Sequence, residues 1–163
     1  MRVLGIDPGS RNTGLGVVEA TADGLRAIAY KRIRMGSEPL PLRLATIYQG
    51  VQSIIAEFNP DAVAVEQVFI SNNAKSALIL GQARGGAICS AVNAQRPVHE
   101  YSALQIKRAV VGSGNAKKEQ VQHMIRALLG LTAMPSEDEA DALACAICHI
   151  HTAQGQQKLA KAL

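Results

Sequence analysis

Four acidic residues have the types and positions to hold a divalent cation: Asp7, Glu66, Asp138 and Asp141. The first two each end a short apolar run typical of a buried strand, and the last two lie three residues apart near the start of a predicted helix. Adjacent carboxylates repel one another unless a cation lies between them, and oxygen ligands suit Mg²⁺ or Mn²⁺. Two such ions about 4 Å apart can activate water and stabilise a leaving oxygen. The pattern predicts metal-assisted phosphodiester hydrolysis.

The two acids of the helix also have a simpler interpretation. Acidic side chains in a first helical turn interact favourably with the helix dipole. This effect accounts for Asp138 well and for Asp141 less well, because Asp141 lies farther into the helix. The prediction of a metal site therefore depends on convergence of all four acids rather than on any one of them.

Asp7 and Glu66 are expected to lie at the ends of two strands of the predicted sheet. Three opening strands are expected to form an antiparallel meander, with a turn at Asp23-Gly24: 3–6, 13–19 and 25–35. Helical spacing of apolar residues predicts a helix over 40–58. Because that helix can serve as a crossover, we expect the strand at 62–66 to run parallel to the first strand. Asp7 and Glu66 would then share one edge of an α/β sheet, where ligands commonly bind.

The sequence pattern of the second half of the chain predicts one more strand, at 97–101. It also predicts three helices: 73–95, 117–129 and a last helix from Ser136. Asn72 or Asn73 can cap the first of these helices, whose many small residues favour packing on a second subunit or on its own sheet. Ser136 and Glu139 match the capping-box pattern. The glycine-rich stretch before residue 117 is expected to be a loop.

Length and composition limit the kind of protein. The chain has 163 residues, 48% of them apolar, and a net charge of +4. We expect one domain over 1–152 and a flexible tail over 153–163. The first residues resemble neither a signal peptide nor a membrane span, and three cysteines give no disulfide framework, so a cytoplasmic protein without membrane association is expected.

Basic residues and one aromatic residue are candidates for DNA contact: Phe69, Lys107, Arg108, Lys117 and Lys118. Lysines near glycines can approach phosphates closely, although such loops are often only solvated. A lysine close to a scissile phosphate could also stabilise charge in the transition state. Phe69 follows Glu66 by three residues and could stack on an unpaired base, or it could belong to the core. The basic residues of the third strand, including Arg32, are expected to be a solvated sheet edge.

The stretch CAICH (145–149) matches the pattern for haem attachment, and its cysteine pair is also found in zinc and redox sites. It lies inside a predicted helix, with no second cysteine pair. We therefore expect Cys145 and Cys148 to be small buried residues.

Several segments resemble the RuvC family of bacterial Holliday junction resolvases over essentially the whole chain: GIDPGSRNTG, VEQVFISNN, LQIKRAVVGSGNAKKEQV and EDEADALACAICH. The resemblance implies a ribonuclease H-like fold with a five-stranded mixed sheet flanked by helices. It also implies Mg²⁺-dependent nicking of two opposed strands at a four-way DNA junction by a homodimer, in homologous recombination and DNA repair. The RuvA and RuvB branch-migration proteins are the implied partners.

By the same resemblance, the family's functional residues fall on matching positions of this chain. The implied metal-binding and catalytic acids are Asp7, Glu66, Asp138 and Asp141, with Mg²⁺, replaceable by Mn²⁺, bound as two ions per subunit. Lys107 and Lys118 match lysines tied to DNA binding and cleavage, and Phe69 matches an aromatic residue that stacks at the crossover. All of these residue types are present here.

Two other functions are compatible with parts of the sequence. The Asp7-Pro8-Gly9 motif also resembles the phosphate contact of actin-like and sugar-kinase ATPases, which need two such domains, and this chain has room for one. A catalytically inert junction-binding protein would keep the fold and the basic surface. The intact acids argue against an inert protein, and the dependence on a single motif argues against an ATPase fragment.

Overall fold

The computed structural model describes residues 1–68 and 73–162. Five strands form one sheet: β1 Arg2–Asp7, β2 Asn12–Thr21, β3 Gly24–Arg34, β4 Ala62–Glu66 and β5 Val98–Tyr101. Five helices accompany it in the described residues: α1 Leu40–Phe58, α2 Ala74–Asn93, α3 Ala103–Val111, α4 Lys118–Leu128 and α5 Glu137–Ala162. The strand order is β3-β2-β1-β4-β5. The predicted five-stranded mixed sheet flanked by helices is confirmed.

The pairing directions follow the connections. Strands β1, β2 and β3 pair antiparallel, whereas β4 pairs parallel with β1 on one side and with β5 on the other. Helix α1 makes the predicted crossover and ends at Asn59, whose left-handed backbone (φ 45°) closes its last turn. Strand β3 lies at the sheet edge, as its basic residues indicated.

Apolar side chains fill both faces of the sheet because the buried strands have no polar face. One core packs α1 and α2 against residues such as Leu4, Ile6 and Val65. The other packs α3, α4 and α5 against the alternate residues of the same strands, including Val3 and Ala64. The result is a sheet between two helical layers, with α5 lying across β1 and β2.

Glycines allow α5 to approach the sheet unusually closely. A Cβ atom at Gly5 would lie 1.8 Å from the Ala142 carbonyl oxygen, and one at Gly14 would lie 1.8 Å from the Asp138 carbonyl oxygen. Both obstacles are main-chain atoms, which cannot rotate away. These two strand positions therefore require glycine if the acidic start of α5 is to rest on the sheet.

Two segments differ from the sequence-based expectation. Residues 103–111, expected to belong to a loop, form α3, which begins with a capping box between Ser102 and Gln105 and ends at the left-handed Gly112. Helix α5 continues to Ala162 through the segment expected to be a flexible tail, where residues 154–162 are exposed. Without burial only local hydrogen bonds hold that segment, so its fraying stays a prediction. None of the helices in the described residues is sufficiently long and apolar to span a membrane.

Candidate active site

Asp7 and Glu66 lie at the same edge of the sheet. The parallel register pairs Ile6 with Val65, so the two acids follow adjacent strand positions. The loop after Asp7 is tight: a Cβ at Gly9 would lie 2.1 Å from the Asn12 carbonyl oxygen. Asp7 is therefore held where β1 ends and the chain turns back.

Helix α5 brings the other two acids to this edge. Asp138 lies against Gly14, the partner of Asp7 in the antiparallel register. Glu139 accepts hydrogen bonds from the Ser136 main-chain N–H (2.8 Å) and hydroxyl (2.7 Å), which fixes the start of the helix. Helix α5 thus starts with both of its predicted site acids in the turns nearest β1 and β2.

The electrostatics show that the acids interact. Burial, with smaller contributions from the charges of Asp141, Glu66 and Asp138, raises the pKa of Asp7 to about 8, although Lys118 opposes the rise. Burial and the charge of Asp141 also raise the pKa of Glu66. Burial raises the pKa of Asp141 in spite of Lys118. Burial is the largest cause of the raised pKa in all three acids, and the charges of neighbouring carboxylates add to it.

Two lysines face this group across a small cavity of about 190 Å³. Its lining includes Lys107 from α3 and Lys118 from α4, together with Glu66 and Asp141. The Lys118 Nζ atom lies 3.8 Å from Asp141 Oδ2 and 3.8 Å from Glu137 Oε1. The charges of both lysines partly oppose the rise in the pKa values of Glu66 and Asp141. The cavity therefore joins anionic and cationic groups, a combination suited to a phosphate ester and its counter-ion.

The four acids have the donor atoms that a divalent cation requires, although their side chains are not arranged around one in this structure. In the part of the chain that the structure describes, no three His, Cys, Asp or Glu side chains form a group ready to hold an ion. The acids nevertheless supply only oxygen donors, and repulsion from Asp141, Glu66 and Asp138 adds to the effect of burial on the pKa of Asp7. A hard divalent cation would relieve that repulsion, so the donor set suits Mg²⁺ or Mn²⁺.

Two other predicted DNA-contact residues within the described ranges lie outside the cavity. Arg108 and Lys117 are exposed and do not line it. Lys117 precedes α4, and its main-chain N–H donates to the Gln120 side chain at 2.8 Å. Phe69 lies outside the described residues. Of the four candidates that the structure describes, Lys107 and Lys118 line the cavity together with Glu66 and Asp141.

Two arginines near the acids were missed by sequence reasoning. Arg32 Nη1 lies 3.4 Å from Asp138 Oδ2, so this edge-strand side chain has a partner rather than only solvent. Arg84 Nε donates to the Glu66 main-chain oxygen at 3.0 Å. Neither pairing leaves a local signal, because the partners are 106 and 18 residues apart in the chain.

The cysteines of the CAICH stretch are buried in α5, as predicted. The following His149 is also buried, and its Nδ1 atom lies 2.7 Å from the Tyr101 hydroxyl oxygen. Burial lowers the pKa of His149 to about 4, so the ring is neutral near pH 7. These side chains belong to the core.

The two faces of α2 differ in their surroundings. Ala83, Ala87 and Ala91 pack into the core, as one of the two interpretations of this helix required. On the opposite face Leu78 is 66% exposed and Val92 is 58% exposed. The helix therefore packs on its own domain and still presents an outward apolar face.

Comparisons with known proteins agree on one family. The family model for crossover junction endodeoxyribonuclease RuvC matches residues 3–149. The protein of that name from Aromatoleum aromaticum is 56% identical over 154 residues, which cover 94% of this chain and 83% of the relative. The one from Aeromonas salmonicida is 56% identical over 158 residues, covering 97% and 91%.

Solved structures extend the likeness to the whole fold. The structure described as Thermus thermophilus RuvC in complex with a Holliday junction substrate superposes with a TM-score of 0.90 at 37% identity, covering 96% of each chain. The Thermus thermophilus RuvC structure gives a TM-score of 0.88 at 36% identity, covering 96% of this chain and 97% of the other. These matches confirm the ribonuclease H-like fold. With the family model, the relatives and the structures in agreement, the chain belongs to the RuvC family of crossover junction endodeoxyribonucleases.

Proposed function

We propose that this protein resolves four-way DNA junctions by paired, symmetric nicks through metal-dependent hydrolysis of a phosphodiester in each of two opposed strands, in homologous recombination and DNA repair. The observation that carries the proposal is the group of acids around Asp7. The pKa of Asp7 is raised to about 8, and two other acids of the group, Glu66 and Asp141, line a cavity together with two lysines. A metal-dependent nuclease uses such a group to hold cations next to a polyanion.

The acids take the metal-binding role in this proposal: Asp7, Glu66, Asp138 and Asp141. Mg²⁺ is the proposed ion, two per subunit, with Mn²⁺ as a substitute. When bound, the ions supply an activated water and stabilise the leaving oxygen. Asp7 and Glu66 would hold their carboxylates at a fixed strand edge, whereas Asp138 and Asp141 add theirs from α5.

Lys107 and Lys118 are proposed to bind the phosphate that is cleaved. Both line the cavity with Glu66 and Asp141, so a phosphate there would lie between ammonium groups and acids. An ammonium group in this position would stabilise negative charge that develops on the phosphate in the transition state. Arg108 and Lys117 are exposed outside the cavity. We expect them to contact backbone phosphates farther along a duplex arm of the junction.

The oligomeric state, an aromatic contact, the partners and the compartment complete the proposal. Two nicks on symmetric strands require two active sites, so we propose a homodimer, formed through the outward face of α2 that carries Leu78 and Val92. Phe69 is proposed to stack on an unpaired base at the crossover. The RuvA and RuvB proteins are the proposed partners in branch migration, and the cytoplasm is the proposed compartment.

Cleavage of a synthetic junction tests the function directly. A four-way junction labelled on each strand in turn should be nicked at paired positions when Mg²⁺ is present and remain intact in EDTA. Linear duplex of the same sequence is the matched substrate and should remain uncut. Indiscriminate cutting of duplex would instead indicate a general nuclease, and ATP turnover by the purified protein would favour the ATPase alternative.

Substitution of the lysines separates binding from catalysis. Lys118→Met should reduce the cleavage rate at saturating junction by roughly 10²-fold, because one charge-stabilising donor is worth about that much. Lys117→Met is the control, since Lys117 lies outside the cavity, and it should affect junction affinity more than rate. Equal effects of the two changes on rate would contradict the proposed role of Lys118.

A further inference from the structure

Arg84 is an arginine of α2 whose side chain is largely buried, with 19% of its surface exposed. Its Nε atom donates to the main-chain oxygen of Glu66 at 3.0 Å. Its guanidinium also pairs with the carboxylate of Glu100 on β5. Burying an arginine is costly unless its donors are satisfied, so these two contacts define where the side chain is held.

The contact with Glu66 falls where regular strand pairing stops. On one side, Gln67 N–H donates to the Tyr101 oxygen at 2.8 Å, which continues the pairing with β5. On the other side, the register with β1 ends at Ile6 and Val65. The Glu66 carbonyl therefore lies beyond the β1 ladder, and Arg84 provides its donor.

We propose that Arg84 is a positioning residue for the acidic site: it fixes the main chain of Glu66 and so directs the Glu66 carboxylate toward the metal. The proposal rests on the function proposed above, in which Glu66 is a metal ligand. Arg84 holds the residue through its main-chain carbonyl rather than through its carboxylate. It also connects the site with α2, since movement of this helix would move the donor.

The geometry explains why arginine is needed at this position. A guanidinium presents several donors in a fixed plane, so one side chain can reach a carbonyl on β4 and a carboxylate on β5 together. A lysine could satisfy either partner with its single nitrogen but would not clamp both strands. We therefore expect Arg84→Lys to keep the charge and lose most of the positioning.

The test measures cleavage of a labelled junction against Mg²⁺ concentration for Arg84→Lys and Arg84→Gln. Both variants should need more Mg²⁺ for half-maximal rate, by roughly 10-fold to 100-fold, because residues that orient metal ligands commonly have effects of that size. Junction affinity in EDTA should stay at the wild-type value. A purely structural role would lower the unfolding temperature and leave the Mg²⁺ dependence at 25 °C unchanged, and that result would overturn the proposal.

Two control variants separate this inference from the proposed function. Glu100→Gln leaves the hydrogen bond to Glu66 available, so it should shift the Mg²⁺ dependence less than either Arg84 variant, and an equal shift would contradict the proposal. Glu66→Gln should abolish cleavage at all Mg²⁺ concentrations. If Glu66→Gln cleaves normally, the metal site itself is misassigned. If Glu66→Gln is inactive and the Arg84 variants behave as wild type, only the positioning role fails.

Discussion

Replacing Asp7 by asparagine should stabilise the metal-free protein while abolishing cleavage. The carboxyl of Asp7 is destabilised by burial and by three neighbouring acids, which raise its pKa from 3.8 to about 8. Asparagine has nearly the same shape and carries no charge at any pH. The substitution therefore removes the repulsion and removes a proposed metal ligand at the same time.

The size of the effect follows from proton linkage. A carboxyl whose pKa is raised on folding stabilises the folded state fully below pH 3.8, and that stability is lost as pH rises toward 8. Each pH unit between these values costs about 1.4 kcal/mol, so the total at pH 7 is roughly 4 kcal/mol. Rearrangement of the side chain toward water would reduce this figure, which is therefore an upper bound.

Urea unfolding followed by circular dichroism measures the difference. Wild type and Asp7→Asn should be compared in EDTA at pH 5, 6 and 7. The advantage of the variant should increase with pH, by up to about 1.4 kcal/mol per unit. Mg²⁺ should then stabilise the wild type more than the variant, and more strongly at higher pH, because protons and metal ions compete for the same carboxylates.

A surface substitution provides the control. Asp23→Asn changes an exposed carboxylate in the turn between β2 and β3 and should leave the pH dependence of stability unchanged. If Asp7→Asn follows the wild type across this pH range, the carboxyl is not destabilised and the electrostatic reasoning is wrong. If the variant still nicks junctions at the normal rate, Asp7 is not a metal ligand. Junction affinity in EDTA should be similar in both proteins.

Two further substitutions test packing, one beside the acidic site and one in the core. Gly14→Ala places a methyl group 1.8 Å from the Asp138 carbonyl oxygen, so it should destabilise the fold by about 1–3 kcal/mol and reduce cleavage about 10²-fold. The control is Gly155→Ala, where the added methyl group meets open space, so stability and cleavage should both stay unchanged. Normal cleavage by Gly14→Ala would refute the requirement for close approach of α5 to the sheet. Tyr101→Phe leaves buried His149 Nδ1 without its partner and should lower unfolding stability by about 1–3 kcal/mol. Junction cleavage by that variant should be unchanged at 25 °C, and a loss of rate without a loss of stability would contradict a purely structural role.

The sequence predicted those elements whose signals are local. Helix α1 was predicted with its observed ends, because apolar spacing and Asn59-Pro60 both act within a few residues. Strand β4 and its parallel direction followed from the apolar run and the crossover length. The edge shared by Asp7 and Glu66 could be predicted for the same reason, since parallel strands end together.

One error passed over a local signal, and two others concern contacts that depend on the tertiary structure. Helix α3 was interpreted as a loop because glycines follow it, although its capping box at Ser102 was present in the sequence. The pairing of Arg32 with Asp138 could not be predicted, because no spacing rule relates residues 106 positions apart. Similarly, the contact from Arg84 to Glu66 depends on how α2 lies on the sheet, which composition does not specify.

The packing of α5 across β1 has a consequence for synthesis of the protein. Asp7 ends β1 and is synthesised long before Asp138 and Asp141 of α5, so the acidic group cannot assemble until α5 is available. Contacts between residues so distant in sequence must also close a long loop, which slows their formation. Under the proposed function, a nascent or truncated chain would thus be unable to cut DNA. The order of the elements itself would delay nuclease activity until folding is complete.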